Sequence, residues 1–357
     1  MPGGAWVRGS EDHVHVRIQL LTQMWPGRDD PDLGAFLVPI RRELERLGHE
    51  VDLVAIDHRR ASRTKYLRLT REAVGDARGS RPDVIFAHML FPAGLAAATA
   101  SLTARTPMVV MAHGQDVANI GAVPGVAAAT RLVLRRAHGV IANSQWLADQ
   151  LTAAIPSARA KITIADCGIE LDAFLPEDAA AARAELGWGG EGPAFVCVGS
   201  LIERKNVIRL ADAFATLGGG SLAFVGDGPL RAQLEGRDRV TVVGRIPQAE
   251  VPRWIAAADV LCQPSLREPF GQGTLEGLAM ERNVVATTVG GPPEFVTAEA
   301  GVLVDPLDQA GLAEALARAA AMPVPNPKAR EAAAAHDVRT QVGRMATVLE
   351  AAAAAGR

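Results

Sequence analysis

Two carboxylates, Glu268 and Glu276, stand eight positions apart across the glycine-rich bend of REPFGQGTLEGLAMERN, residues 267–283. The bend runs into a helical pattern with Leu275, Leu278 and Ala279 on one face and Glu276 in the first turn. The N–H groups of Gln272, Gly273 and Thr274 are expected to lack helical acceptors there and to suit an anion. An ionised carboxylate only accepts hydrogen bonds, so acids flanking an anion site fit a ligand with hydroxyl donors on both sides of a phosphate. Sugar hydroxyls, a diphosphate and a ribose diol have that arrangement. A dipole-complementing Glu276 beside a solvated Glu268 would leave the same pattern.

Adjacent cations Arg204 and Lys205 follow the apolar run AFVCVGS, where a loop enters a helix. They would neutralise diphosphate oxygens, although most such cations are simply solvated. Gly226 and Gly228 in FVGDGPLRAQL invite a dinucleotide reading, but Arg231 occupies the place of the third glycine of G-x-G-x-x-G. An ordinary strand-to-helix turn accounts for them better. Gly34, in GRDDPDLGAF, would let backbone approach a ligand at a helix start, and an ordinary turn before a helix accounts for it equally well. Asp30 and Asp32 of the same loop form a D-x-D pair, and no metal site is assigned to it.

These groups need a scaffold that brings strand ends together. Short apolar runs alternate with helical patterns along the whole chain, at 15–23, 49–57, 83–89, 107–113, 139–144 and 161–166, then at 194–200, 222–228, 240–245, 260–265, 283–289 and 301–306. Apolar strands separated by helices predict parallel sheets covered on both faces, hence an α/β chain of two doubly wound domains facing a cleft. Strand periodicity stops over 167–193, which Pro176, Gly187, Gly189, Gly190 and Pro193 punctuate. The boundary is placed near residue 172, giving domains over 1–171 and 172–339, with a tail helix over about 340–357 able to pack on either. A helix over 33–47 carries Pro39, which should kink it or delay its start.

Length and composition agree. A chain of 357 residues suggests about two domains. Net charge of -3 and 48% hydrophobic residues argue against a nucleic-acid partner or a disordered tail. Cys167, Cys197 and Cys262 form no CxxC pair and read as buried, reduced thiols. The start MPGGAWVRGSEDHVHV lacks the pattern of a leader, and no stretch approaches 18 apolar residues, so the expected location is cytoplasmic.

The chain resembles the GT-B glycosyltransferases of the retaining family GT4, whose hallmark Glu-x7-Glu lies in contexts similar to REPFGQGTLEGLAM. The likeness covers nearly the whole length, through GAFLVPIRRELERLGHEVDL, HMLFPAGLAAA, VVMAHGQDV, GVIANSQWLA, VGSLIERKNVIRLADAF, FVGDGPLRAQL, VGRIPQAEVPRWIAAADVLCQPS and VGGPPEFV in order. It implies a Rossmann-like acceptor domain, a Rossmann-like donor domain, and transfer of a hexosyl unit from a nucleotide diphosphate sugar to an acceptor hydroxyl with retention, by front-face attack. Glu268 would hold sugar hydroxyls, with the backbone of Phe270, Gly271, Gln272 and Gly273 facing sugar and phosphate. Thr274 would touch the diphosphate, Glu276 the ribose diol, and Arg204 and Lys205 would grip the diphosphate. The backbone of Arg245 and Ile246 would meet the base, His113 would stand near the reacting carbon, and Gly34 would lie beneath the donor.

Two departures stand out. Gly199-Ser200 replaces a Gly-Arg common in relatives, so Ser200 loses a phosphate contact that Arg204 would supply, and Asn206 stands where glycine is frequent. A ribose diol partner favours UDP or GDP sugars, and no cofactor or metal is implied. An epimerase or hydrolase on the same donor site and a non-catalytic sugar-nucleotide sensor are the competing readings. The acceptor, whether small molecule, lipid or natural product, is not readable. The segment HRRASRTKYLRLTR carries Arg59, Arg60, Arg63, Lys65, Arg68 and Arg71 with no acid; a solvated face is the usual fate of such a run, and a peripheral contact with an anionic acceptor or the inner membrane face is the alternative.

Overall fold

Strand-forming runs of Val, Ile, Leu and Ala build two parallel sheets in the computed structural model, which describes residues 14–60, 62 and 64–356. Residues 1–13, read above for a leader, and Arg63 of the basic segment lie outside the described residues. The first sheet contains β1 (Arg17–Thr22), β2 (Glu50–Ala55), β3 (Val84–His88), β4 (Met108–Ala112), β5 (Gly139–Ala142) and β6 (Ile162–Ile164) in the order β2-β1-β3-β4-β5-β6. The second contains β7 (Ala194–Val198), β8 (Ser221–Val225), β9 (Val240–Gly244), β10 (Val260–Gln263), β11 (Asn283–Thr287) and β12 (Gly301–Val304) in the order β12-β11-β10-β7-β8-β9. Every paired neighbour is parallel, so each connection must cross over the sheet, and helices cover both faces.

Burial explains why these runs read as continuous apolar stretches. β3, β4, β8 and β11 are buried at every position, with Ile85 and Ala87 facing one core and Val84 and Phe86 the other. The second sheet divides likewise, with Val196 on one side and Phe195 on the other. Each sheet has one switch point, between β1 and β3 in the first and between β7 and β10 in the second, where crossovers leave in opposite directions and open a crevice at the strand ends.

The chain passes between the halves twice, and the two passages lie side by side. Ile169 donates its N–H to the His336 carbonyl (2.9 Å) and Val338 returns one to the Ile169 carbonyl (3.0 Å). Gly168, at φ +68°, has room for no side chain, since a Cβ there would sit 2.4 Å from the Val338 Cα. The last helix, Val338–Ala355, then lays Val342, Met345, Ala346 and Leu349 in one core with Leu37 and Ile40 of the helix after β1 and with Phe86, Val109 and Met111 of β3 and β4. Among the described residues no helix is long and apolar enough to cross a membrane.

The helix after β1 spans Leu37–Arg46, shorter than the 33–47 expected. Residues 31–36 form turns, so Pro39 falls in the first helical turn, where its missing N–H removes no helical bond.

Candidate active site in the cleft

The switch point of the second sheet explains how residues 63 positions apart meet. β7 and β10 are neighbours, so the loops leaving their ends run together. Lys205 Nζ donates to Glu268 Oε2 at 2.6 Å, Ser265 Oγ lies 2.9 Å from the same oxygen, and Arg204 Nη1 stands 3.8 Å away. Burial opposes ionisation of Glu268, but the charge and hydrogen bond of Lys205, helped by Arg204 and Ser265, outweigh it and hold the carboxyl below its ordinary value. Asn206, at φ +59°, is suited to the left-handed turn and its amide donates to the carbonyls of Pro264 (3.0 Å) and Pro306 (2.8 Å). The departure from glycine at 206 thus laces together the loops after β7, β10 and β12.

A third loop holds Glu268 from behind. Its N–H donates to the Val289 carbonyl, and Gly291 donates back to the Glu268 carbonyl at 2.9 Å. Gly290 has φ +133°, and a Cβ there would lie 1.8 Å from the Glu268 oxygen, so only glycine permits this approach. The role of this glycine pair in VGGPPEFV was not foreseen, although glycines between a strand and prolines are a signal for close backbone contact.

The helix after the bend spans Gln272–Ala279, with Gly271 at φ +107° as its N-cap. Among the described residues the N–H groups of Gln272 and Gly273 have no acceptor. Thr274 is held from within: its N–H and its Oγ1 both donate to Gln263 Oε1, at 3.0 and 2.8 Å, and the residue is fully buried. The buried amide at the end of β10 had to be satisfied, and Thr274 satisfies it. Glu276 is the fifth helical residue and lies in the second turn, not the first. Burial pushes its carboxyl up to about 8, with Lys205 opposing in part, so the two glutamates of the motif are shifted in opposite directions.

In the first half, His113 follows β4. Asp116 accepts from the N–H groups of His113 (3.1 Å), Gly114 (2.8 Å) and Leu90 (2.8 Å), joining the loops after β3 and β4. Burial lowers the His113 imidazole to about 4, against the pull of Asp116, and its Nε2 lies 3.0 Å from Nδ1 of buried His88. Gly34, at φ +65°, shapes the preceding loop: a Cβ would stand 2.4 Å from the Met24 carbonyl, and Met24 and Phe36 reach the cleft in its place. His88, Asp116, Ser265 and Gln263 were not singled out from sequence. Polar residues at the ends of apolar strands were the available signal.

Three cavities lie along the cleft. The first, about 290 Å³, is bounded by Met24, Phe36 and His113 from one half and by Arg204, Glu268, Phe270 and Gly271 from the other. The second, about 430 Å³, is bounded by Phe36, Gly168, Glu170 and Glu276, and Gln272 borders both. The third, about 130 Å³, has Gly199, Ser200, Arg245 and Ile246 with Asp32 from the first half, and Gln248 joins it to the second. The side chain of Phe270 is buried against Phe295, and the residue borders the first cavity. The halves also touch directly, through Ser144 Oγ to the Pro269 carbonyl (2.6 Å) and Gln272 Nε2 to the Gly168 carbonyl (2.9 Å).

The basic segment is not uncompensated, as its sequence suggested. Arg59 forks onto Asp30 (2.8 Å) and Asp32 (2.9 and 3.0 Å), Arg60 meets Asp29 (3.1 Å) and Arg68 meets Glu72 (2.8 Å). The partners come mostly from a loop distant in sequence, which a local charge count cannot see. Arg245 adds a second cation 3.6 Å from Asp30, so the D-x-D carboxylates serve as counterions between the halves. Arg63 lies outside the described residues. Lys65 caps the Arg60 carbonyl (3.0 Å), and among the described residues neither it nor Arg71 forms an ion pair.

Two parallel α/β halves whose switch-point loops enclose a common cleft define the GT-B class. Solved structures of that class superpose along the chain: sucrose-phosphate synthase from Thermosynechococcus elongatus at TM-score 0.77, 22% identity and 95% and 99% of the two chains, and Anabaena HepE in complex with UDP-glucose at 0.74, 23%, and 94% and 100%. The profile for Glycosyltransferase Family 4 matches residues 34–173, and that for Glycosyl transferases group 1 matches residues 192–321. The chain belongs to this glycosyltransferase family. TuaC of Bacillus subtilis, described as a teichuronic acid biosynthesis glycosyltransferase, is 31% identical over 244 residues, 66% of this chain and 61% of TuaC. The 2-deoxystreptamine glucosyltransferase of Streptomyces kanamyceticus is 33% identical over 187 residues, 47% of each chain. A D-inositol 3-phosphate glycosyltransferase of Mycobacteroides abscessus is 34% identical over 176 residues, 46% of this chain and 40% of the relative. The matched segments thus span between 40% and 61% of these relatives.

Proposed function

We propose that the chain transfers a hexosyl unit from a nucleotide diphosphate sugar to an acceptor hydroxyl, with retention at the anomeric carbon. The carrying observation is the row of cavities that Gln272 and Gln248 join, because its chemistry changes in the order of such a donor. Sugar hydroxyls meet Glu268 in the first, ribose meets Glu276 in the second, and the base meets the Arg245 and Ile246 strand end in the third. Arg204 and Gln272 border the first cavity, and Lys205 adjoins it through Glu268. Gln272, whose N–H like that of Gly273 is free among the described residues, also borders the second, so the diphosphate is assigned to this stretch.

The residues of this site position and stabilise. As the glycosidic bond breaks, negative charge grows on the diphosphate, and fixed cations and helix N–H groups meet it without reorganising. Glu268 is the one carboxylate among the described residues bounding the first cavity, and Lys205 and Ser265 already occupy its Oε2. That favours a role in holding hydroxyls over covalent attack, and so favours attack from the leaving-group face, with the departing phosphate taking the acceptor proton. Approach of the halves excludes water, the competing acceptor. On the acceptor side, a cavity of about 460 Å³ beside β2 carries Lys65, Arg68 and Arg71 together with Asp57 and Glu72, and Glu72 is paired with Arg68, so Lys65 and Arg71 are the cations that support an anionic acceptor or surface.

The test is a thermal-shift panel of UDP, GDP, ADP and dTDP sugars, followed by NMR of the anomeric product formed from the donor that binds. Binding at 100 times the dissociation constant adds about 2.7 kcal/mol of stability. A retained anomeric configuration is expected, with UDP or GDP sugars preferred over dTDP because Glu276 is assigned to a ribose diol. An inverted product, or no shift with any donor, refutes the assignment.

A further inference from the structure

His88 ends β3 fully buried, its ring centroid 4.4 Å from that of Phe86, and takes no part in the donor site described above. Its Nδ1 lies 3.0 Å from Nε2 of His113, while its own Nε2 is buried and has no partner among the described residues. Only one proton fits between the two rings, so one histidine donates and the other accepts. If His113 donated, His88 would carry its remaining proton on Nε2, leaving a buried N–H without an acceptor. A bare ring nitrogen there is the lesser defect, because orphaned buried N–H groups are the rarer and costlier kind.

We infer that His88 is a positioning residue: its Nδ1–H donates to His113 Nε2, fixing His113 as the tautomer that carries its proton on Nδ1, on a ring that lines the sugar-end cavity. The hydrogen bond made by one imidazole nitrogen sets what the other can do. Occupied at Nε2, His113 is a neutral hydrogen-bond donor towards a donor-sugar oxygen and is not available as a base through that nitrogen. The charged and titratable groups around it are Asp116 on its own loop, Arg204, Arg267 and Glu268 across the cavity, and Cys167 from the connector. The inference rests on the nucleotide-sugar reading for its kinetic consequence, and the tautomer itself does not.

The first measurement is therefore the imidazole 15N–1H correlation spectrum of the unmodified protein without ligand. Nδ1–H forms of both histidines are expected, and a His113 protonated on Nε2 overturns the inference whatever the protein's activity. The second is kinetic. His88→Phe should lower kcat by roughly 10- to 100-fold, by analogy with the partners that orient metal-ligating histidines, with donor KM changed less than about threefold. With Nε2 released, protonation of His113 no longer breaks the bond to His88, so the acid limb of kcat should move up in pH, with burial still holding it below the ordinary imidazole value. His88→Asn, whose amide N–H can stand in for Nδ1–H, should restore most of the rate. An Asn variant as slow as the Phe variant, or a Phe variant with unchanged rate and pH profile, also overturns it. Failure of every nucleotide sugar to bind would instead count against the donor assignment and leave the tautomer result standing.

Discussion

Lys205 and Glu268 form a nearly enclosed ion pair, 2.6 Å from Nζ to Oε2, with side-chain exposures of 15% and 10%. The pair joins the loops of two strands that are adjacent only because the second sheet reverses direction between β7 and β10. A carboxylate so enclosed is stable as an ion only while its cation remains.

Lys205→Met should therefore destabilise the protein by roughly 3 kcal/mol, the scale for removing one partner of a buried pair. Adding Glu268→Gln to it should recover part of that loss in chemical denaturation. Because the Glu268 carboxyl is depressed, its contribution is intact above the ordinary value of 4.5 and fades as pH falls through the folded value. Glu268→Gln alone should reduce kcat on the order of 10²-fold while nucleotide affinity holds. A double variant no more stable than Lys205→Met refutes the coupling.

Glu276 has the opposite sign. Its carboxyl is raised from 4.5 to about 8, so the folded state binds the extra proton and stability falls as pH rises across that window, fully present below it. The slope for one such group is at most about 1.4 kcal/mol per pH unit. Melting temperatures of ligand-free Glu276→Gln should show a shallower decline between pH 5 and pH 8 than the unmodified chain, and Glu276→Ala should weaken nucleotide binding. Parallel melting profiles would show that the group ionises freely.

Contact between the halves can be tested at Gly114, whose φ is +114° and whose added Cβ would lie 2.2 Å from Pro269 Cγ. Gly114→Ala should hold the cleft open, since a shift of about 1 Å can cost 10²-fold in rate. Glu294→Ala should act in the same direction, because its carboxylate receives the N–H groups of Gln145 (2.9 Å) and Trp146 (2.8 Å) across the cleft. Small-angle scattering should report a larger radius of gyration for both. Unaltered scattering and turnover would argue against closure as a requirement.

Turnover should persist in excess EDTA. The proposed diphosphate site consists of Arg204, Lys205 and helix N–H groups, and Asp30 and Asp32 are already neutralised by Arg59. Loss of activity that Mg²⁺ restores would reject this.

The ion pairs redirect the test of the basic segment. Arg59 and Arg60 are engaged by acids, so Lys65 and Arg71 are the cations to change. Lys65→Gln with Arg71→Gln should raise the acceptor KM at low salt and flatten its salt dependence, with donor affinity unchanged. Acceptor kinetics insensitive to salt in both proteins would leave these cations merely solvated.

By itself the sequence determined the strands and the motif. Runs such as VIFAH and AFVCV are apolar because both sheet faces bury them, and that is a local property of each run. Gly271 and Glu276 likewise announced a bend and a helix. Tertiary structure alone decided which polar groups meet. Gln263 claims Thr274, acids at 29–32 claim Arg59 and Arg60, and His88 reaches His113 only because β3 and β4 end side by side. The two glutamates are one residue type in one motif, yet they ionise differently because Lys205 pairs with one while burial governs the other. Partner choice and desolvation depend on distances across the folded chain, which the spacing of residues along it does not encode.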